Sequence, residues 1–80
     1  MIIDVSDVKS IPALHNTLKE RLDFPDYYGA NLDALFDILS EKEKHSSISF
    51  IGFEMMRNEI GEYADMVIKV FEDAGIGVTI

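Results

Sequence analysis

The chain has 80 residues, enough for one hydrophobic core and too few for two. Hydrophobic residues make up 48% of it and charged residues 28%, a globular balance that excludes a disordered or low-complexity chain. Fifteen acidic residues against seven basic ones give a net charge of −8, which opposes binding to nucleic acid or anionic membranes and suits a basic partner.

Cysteine is absent, so disulfides and thiolate metal sites are excluded, and a cytoplasmic protein is expected. Met1-Ile2-Ile3-Asp4 has no basic region followed by an apolar stretch, so no signal peptide is expected, and no apolar run approaches a membrane span. A single domain over residues 1–80 is expected.

Ile2-Ile3-Asp4-Val5 is short, apolar and β-branched, and is expected to be a strand. Ser10 offers a helix N-cap, and Pro12 falls in the first turn, where its missing N–H costs little. Ile11, Leu14, Leu18 and Leu22 recur at helical spacing, so a first helix is expected to about Leu22, ended by Pro25. Phe24 to Ala30 forms a connection carrying Tyr27, Tyr28 and Gly29. Asn31 is the expected N-cap of a second helix over 31–41, with Leu32, Leu35, Phe36 and Leu39 on its apolar face.

Glu41 to Ser47 is polar and reads as a loop. A second strand is expected from near Ile48 through Ser49-Phe50-Ile51, stopping by Gly52. Ile60, Tyr63, Ala64, Val67, Ile68, Phe71 and Ala74 keep helical spacing over about 58–74, and Gly61 can divide that stretch into a shorter and a longer helix. Gly75 fits the position just past the helix end, with Ile76 packing back, and Val78-Thr79-Ile80 reads as a last strand. Strands alternating with helices predict an α/β fold, a small parallel sheet covered by helices.

The charge is uneven. From Leu22 to Glu41 there is no lysine or arginine, yet Asp23, Asp26, Asp33, Asp37 and Glu41 all lie there. On a helical wheel Asp33, Asp37 and Glu41 stack at i, i+4 and i+8, opposite the leucines. Like charges at that spacing repel by a few tenths of a kcal/mol per pair, roughly. An acidic stripe is most often a solvated helix face. Here it is bordered by Phe36 and preceded by Tyr27 and Tyr28, a combination suited to anchoring something cationic. His15 lies beside the apolar face of the first helix and is expected to be structural.

Catalytic patterns are missing. The chain has no Gly-rich phosphate loop, no His-Glu-x-x-His and no Gly-x-Ser-x-Gly. Asp33 and Asp37 supply too few oxygens for a good cation site, and nothing separates them into acid and base. An acyl-carrier reading fails because no Asp-Ser dipeptide occurs. A non-enzymatic protein without cofactor is expected.

The run from Ile11 to Asp37 reads I-P-A-L-H-N-T-L-K-E-R-L-D-F-P-D-Y-Y-G-A-N-L-D-A-L-F-D. It closely resembles the barstar family, intracellular inhibitors of secreted ribonucleases of the barnase type. Pro25 to Asp37 is its most specific part, and Leu14-His15 and Thr17-Leu18 match as well. A weaker likeness returns at Val70-Phe71 and Val78-Thr79-Ile80. The resemblance implies three parallel strands packed on helices. It also implies that the second helix and the loop before it plug a ribonuclease active site, one-to-one. The partner-binding positions that match are Tyr27, Asn31, Asp33, Phe36 and Asp37. Asp37 falls where the family places a carboxylate in the enzyme's phosphate spot, among Arg and His donors.

The chain also departs from the family. Phe36 stands where barstar has tryptophan, Glu41–Ser47 does not follow its loop, and its cysteines are absent. A late acidic contact aligns with Asp73, with Glu72 as its neighbour. The expected partner is a basic secreted-type ribonuclease, or else a different basic protein or toxin domain. A monomer is expected, with no nucleic acid or membrane partner.

Overall fold

The computed structural model describes residues 1–41 and 47–80. In chain order these form β1 (Ile2–Asp4), α1 (Ile11–Arg21), α2 (Leu32–Glu41), β2 (Ser47–Ile51), α3 (Phe53–Ile60), α4 (Glu62–Asp73) and β3 (Gly77–Thr79). The three strands make a parallel sheet in the order β1-β2-β3, with Ile3 beside Phe50 and Ile48 beside Val78. A pair of helices crosses over between each strand and the next, as parallel pairing requires. The expected α/β architecture is the one observed.

Side chains alternate across the sheet. Ile3, Ile48 and Phe50 are buried, while Ile2, Asp4, Ser47 and Ile51 are exposed, so the helices cover one face. Phe50 meets Phe71 of α4 edge to face, with ring centroids 5.6 Å apart. Leu14 and Leu18 of α1, Leu35 of α2 and Val67 of α4 are each fully buried in the same core. α4 is the central helix, packing on α2, α3 and β3. Among the described residues, no helix is long and apolar enough to cross a membrane.

Element ends follow local chemistry. Ser10 caps α1, its hydroxyl accepting from the Ala13 N–H at 3.2 Å. α1 stops before Pro25 can act. Asp23 turns left-handed at φ 55°, and the Phe24 N–H closes back onto the Lys19 carbonyl at 2.9 Å. Past α4, Gly75 and Ile76 donate to the carbonyls of Glu72 and Phe71, and Ile76 is buried, as expected for that stop.

Several expected boundaries move. β1 ends at Asp4, although the Val5 N–H still donates to the Ile51 carbonyl at 2.8 Å. Glu41 belongs to α2 and Ser47 to β2; the rest of the loop expected between them lies outside the described residues. β3 runs from Gly77 to Thr79, one residue earlier than expected. The expected helix over 58–74 is two helices, and the first begins at Phe53. Gly61, at φ 66° and ψ −143°, divides them. Phe53, Met56 and Ile60 carry α3's inward face, but exposed Met55 blurs that pattern. Gly52 opens α3 with no side-chain cap. It sits at φ 76° against Ser6, where a Cβ would lie 2.4 Å from the Ser6 Cβ.

Candidate partner-binding site

α2 begins at a firm cap. The Asn31 Oδ1 accepts from the Ala34 N–H at 2.8 Å, and its carbonyl accepts from the Leu35 N–H at 2.9 Å. Its Nδ2 donates to the Gly29 carbonyl at 3.3 Å, tying the helix to the loop before it. Ala30, between them, takes a left-handed backbone at φ 53°. Leu35, Ile38 and Leu39 then point into the core, leaving Asp33, Phe36, Asp37 and Glu41 exposed. The helical period thus places every acid of α2 on the outside.

The loop and the helix enclose an open groove of about 230 Å³. Its walls are Tyr27, Tyr28 and Gly29 on the loop side and Ala34, Asp37, Ile38 and Glu41 on α2. Tyr27 is 80% exposed and Phe36 41%. None of Asp33, Asp37 and Glu41 has a basic partner within salt-bridge reach among the described residues. Such a groove offers carboxylate acceptors beside aromatic faces, a setting for a guanidinium, ammonium or imidazolium. Among the described residues, no three His, Asp or Glu side chains converge as a metal site would need.

Tyr27 and Asp37, two of the six positions singled out from the sequence, meet in the groove. Asp33 and Phe36 lie on the same exposed side of α2 but outside its walls. Asn31 is occupied as the helix cap. Asp73 ends α4, exposed, with its carboxylate 3.7 Å from the Lys69 ammonium one turn earlier. An exposed pair of this kind contributes little to stability. Glu41 lines the groove although it was not among those six; its spacing of four from Asp37 was the available signal. Phe36 is half exposed at the rim of the apolar face, where the helical wheel sets it beside the acidic stripe.

Tyr28 is the half of the tyrosine pair that packs inward. Its ring lies 4.8 Å from that of Phe24 and 5.7 Å from that of His15. Burial, with the neighbouring Tyr63 second, pushes its hydroxyl's pKa well up. His15 is 1% exposed, and both ring nitrogens are partnered: Nδ1 with the Tyr28 hydroxyl and Nε2 with the Tyr63 hydroxyl, each at 2.6 Å. Desolvation holds the His15 pKa below its ordinary value, favouring the neutral ring. His15 is therefore structural, as the sequence suggests.

Comparison with known proteins bears on this arrangement. A family model described as Barstar (barnase inhibitor) matches residues 1–78. A Bacillus subtilis (strain 168) protein named "Putative ribonuclease inhibitor YrdF" is 44% identical over 75 residues, covering 92% of this chain and 82% of that protein. The family match spans both crossovers, from β1 into β3, and takes in the acidic groove between the Tyr27–Gly29 loop and α2: the chain belongs to the barstar family.

Proposed function

We propose that this protein is a non-enzymatic inhibitor that blocks the active site of a basic, barnase-type ribonuclease one-to-one. The groove between Tyr27 and Asp37 carries the proposal. It is an open cleft with two carboxylates and two tyrosines in its walls, on a chain with a net charge of −8. A ribonuclease active site is built to hold a phosphate with cationic donors, and a carboxylate presents the same kind of acceptor oxygens. Asp37 is the central mimic of phosphate and Asp33 a second charged contact. Tyr27 and Phe36 supply apolar area around them, Asn31 holds the start of α2 at the interface, and Asp73 makes an outer contact after releasing Lys69. Repulsion along Asp33, Asp37 and Glu41 is relieved when enzyme cations arrive, and the field of the acidic face speeds encounter. The inhibitor acts in the cytoplasm, where a cysteine-free chain needs no oxidising compartment.

The test is RNA cleavage by a barnase-type ribonuclease titrated with this protein and with its Asp37→Ala variant. Stoichiometric inhibition that the variant loses is the expected result. No inhibition by the folded wild-type chain would overturn the ribonuclease reading. It would favour another basic protein as partner, a choice to which Phe36, in the place of the family's tryptophan, already lends weight.

A further inference from the structure

The loop Pro25–Ala30 carries half of the groove, and beyond the Asn31 side-chain bond to the Gly29 carbonyl its hold on the rest of the protein runs through Tyr28. Asp26, Tyr27, Gly29 and Ala30 are exposed, and within the loop the Tyr28 N–H donates to the Pro25 carbonyl at 3.0 Å. The Lys19–Asp26 pair is loose at 3.8 Å, with the Asp26 side chain fully in solvent. Tyr28 is the residue that enters the protein. It also stands between two hollows: the groove beside Asp37, and a second one of about 210 Å³ lined by Pro12, His15, Asn16, Lys19, Tyr28 and Ala30. Bordering both hollows, the ring is held by its contacts with Phe24 and His15 and by its hydroxyl.

That hydroxyl ends a chain of hydrogen bonds. Tyr28 meets Nδ1 of His15, and Nε2 of His15 meets Tyr63, so the loop is joined through α1 to α4, 35 residues later in the sequence. A neutral imidazole has one N–H and one lone pair. One phenol must therefore donate and the other accept, and the ring's tautomer links the two ends. Removing the Tyr63 hydroxyl leaves a buried ring nitrogen without a partner. The imidazole then loses the second of the two hydrogen bonds that fix its orientation toward Tyr28.

We infer that Tyr63 and His15 are positioning residues for partner binding, fixing the Tyr28 wall of the groove and thereby the set of Tyr27 beside Asp37. This rests on the groove being the binding surface, as proposed above. Neither residue lines that groove, so their effect on binding travels through Tyr28.

The experiment has two arms, using Tyr63→Phe, Tyr28→Phe and the double variant. Without partner, amide hydrogen exchange is read residue by residue. Exchange of the Tyr28 amide, the one loop amide bonded to the Pro25 carbonyl, is expected to rise in Tyr63→Phe while the α2 and β2 amides keep their protection. Tyr63→Phe should add nothing in the Tyr28→Phe background, because the path is already cut. With a barnase-type ribonuclease as the probe, Tyr63→Phe should weaken binding by about 2- to 30-fold, the range for residues coupled through a packed network. Unchanged loop exchange would overturn the inference. So would a loosened loop with undiminished affinity, or additive effects of the two substitutions, which mark independent packing roles. If the wild-type chain fails to bind the enzyme, the proposed function falls, and the exchange arm alone decides whether the relay positions the loop.

Discussion

Asp37 and Glu41 stand one turn apart on α2 and face the same groove, with no cation between or beside them among the described residues. Stability and binding are therefore set against each other at this spot. Asp37→Ala should leave the free protein as stable or firmer by about a few tenths of a kcal/mol, as like-charge repulsion falls. The same change should weaken ribonuclease inhibition by at least about 30-fold, the lower range for losing one partner of a buried charge pair. Asp65, which takes a two-oxygen grip on the Arg57 Nε at 2.9 and 3.1 Å, is the control. Asp65→Ala should lower the denaturation midpoint slightly and leave inhibition intact. Equal losses of inhibition would remove α2 as the contact.

Salt dependence follows from the same exposed carboxylates. The association rate should drop steeply between low and high ionic strength, because screening shortens the reach of the field to about 10 Å at 0.1 M salt. Dissociation should change much less. Stopped-flow mixing at several salt concentrations measures both, and a flat association rate would mean that the acidic face does not steer the encounter.

The buried imidazole makes stability depend on pH with a definite sign. The His15 pKa is lowered in the folded protein by desolvation, so the unfolded chain binds its proton first. Its contribution is complete above the unfolded value of about 6.5 and is lost as pH falls through the folded value. Urea titrations should show a falling midpoint as the solution is acidified below that point. His15→Gln, which keeps a donor and an acceptor, should flatten that slope. Asp4 titrates in a separate and lower window. The side-chain and then the backbone hydrogen bond from Ser6 lower its pKa.

Gly52→Ala should destabilise the fold by about 1–3 kcal/mol. A methyl there meets the Ser6 backbone and side chain while the chain is held at φ 76°. Chemical denaturation reads the loss. At Gly61 a methyl meets no neighbouring atom, so the cost of Gly61→Ala is backbone strain alone, at φ 66° and ψ −143°.

How far the sequence foretold this molecule depended on the range of the interaction. Ser10, Asn31 and the pair Gly75-Ile76 act within a few residues of themselves, and each capped or ended its helix where local pattern put it. The three strands were readable from β-branched runs. α3 was not, because its start rests on the Gly52 backbone and its inward spacing is broken by an exposed methionine. At the site, the acidic stripe was visible from helical period alone. The groove was not, since it forms only where Tyr27, Tyr28 and Gly29 fold back against Ala34, Ile38 and Glu41. The partners of His15 were further still from view, 13 and 48 residues away.

The helices clothe one side of the sheet, and among the described residues no helix covers the other. Ile2, Asp4, Ile51 and Thr79 look outward there, with the helix layer and its acidic groove on the opposite side. A chain without cysteine therefore has a natural place for a single reporter. Thr79→Cys would carry a dye or a surface tether behind the sheet, leaving α2 free to meet whatever is passed over it.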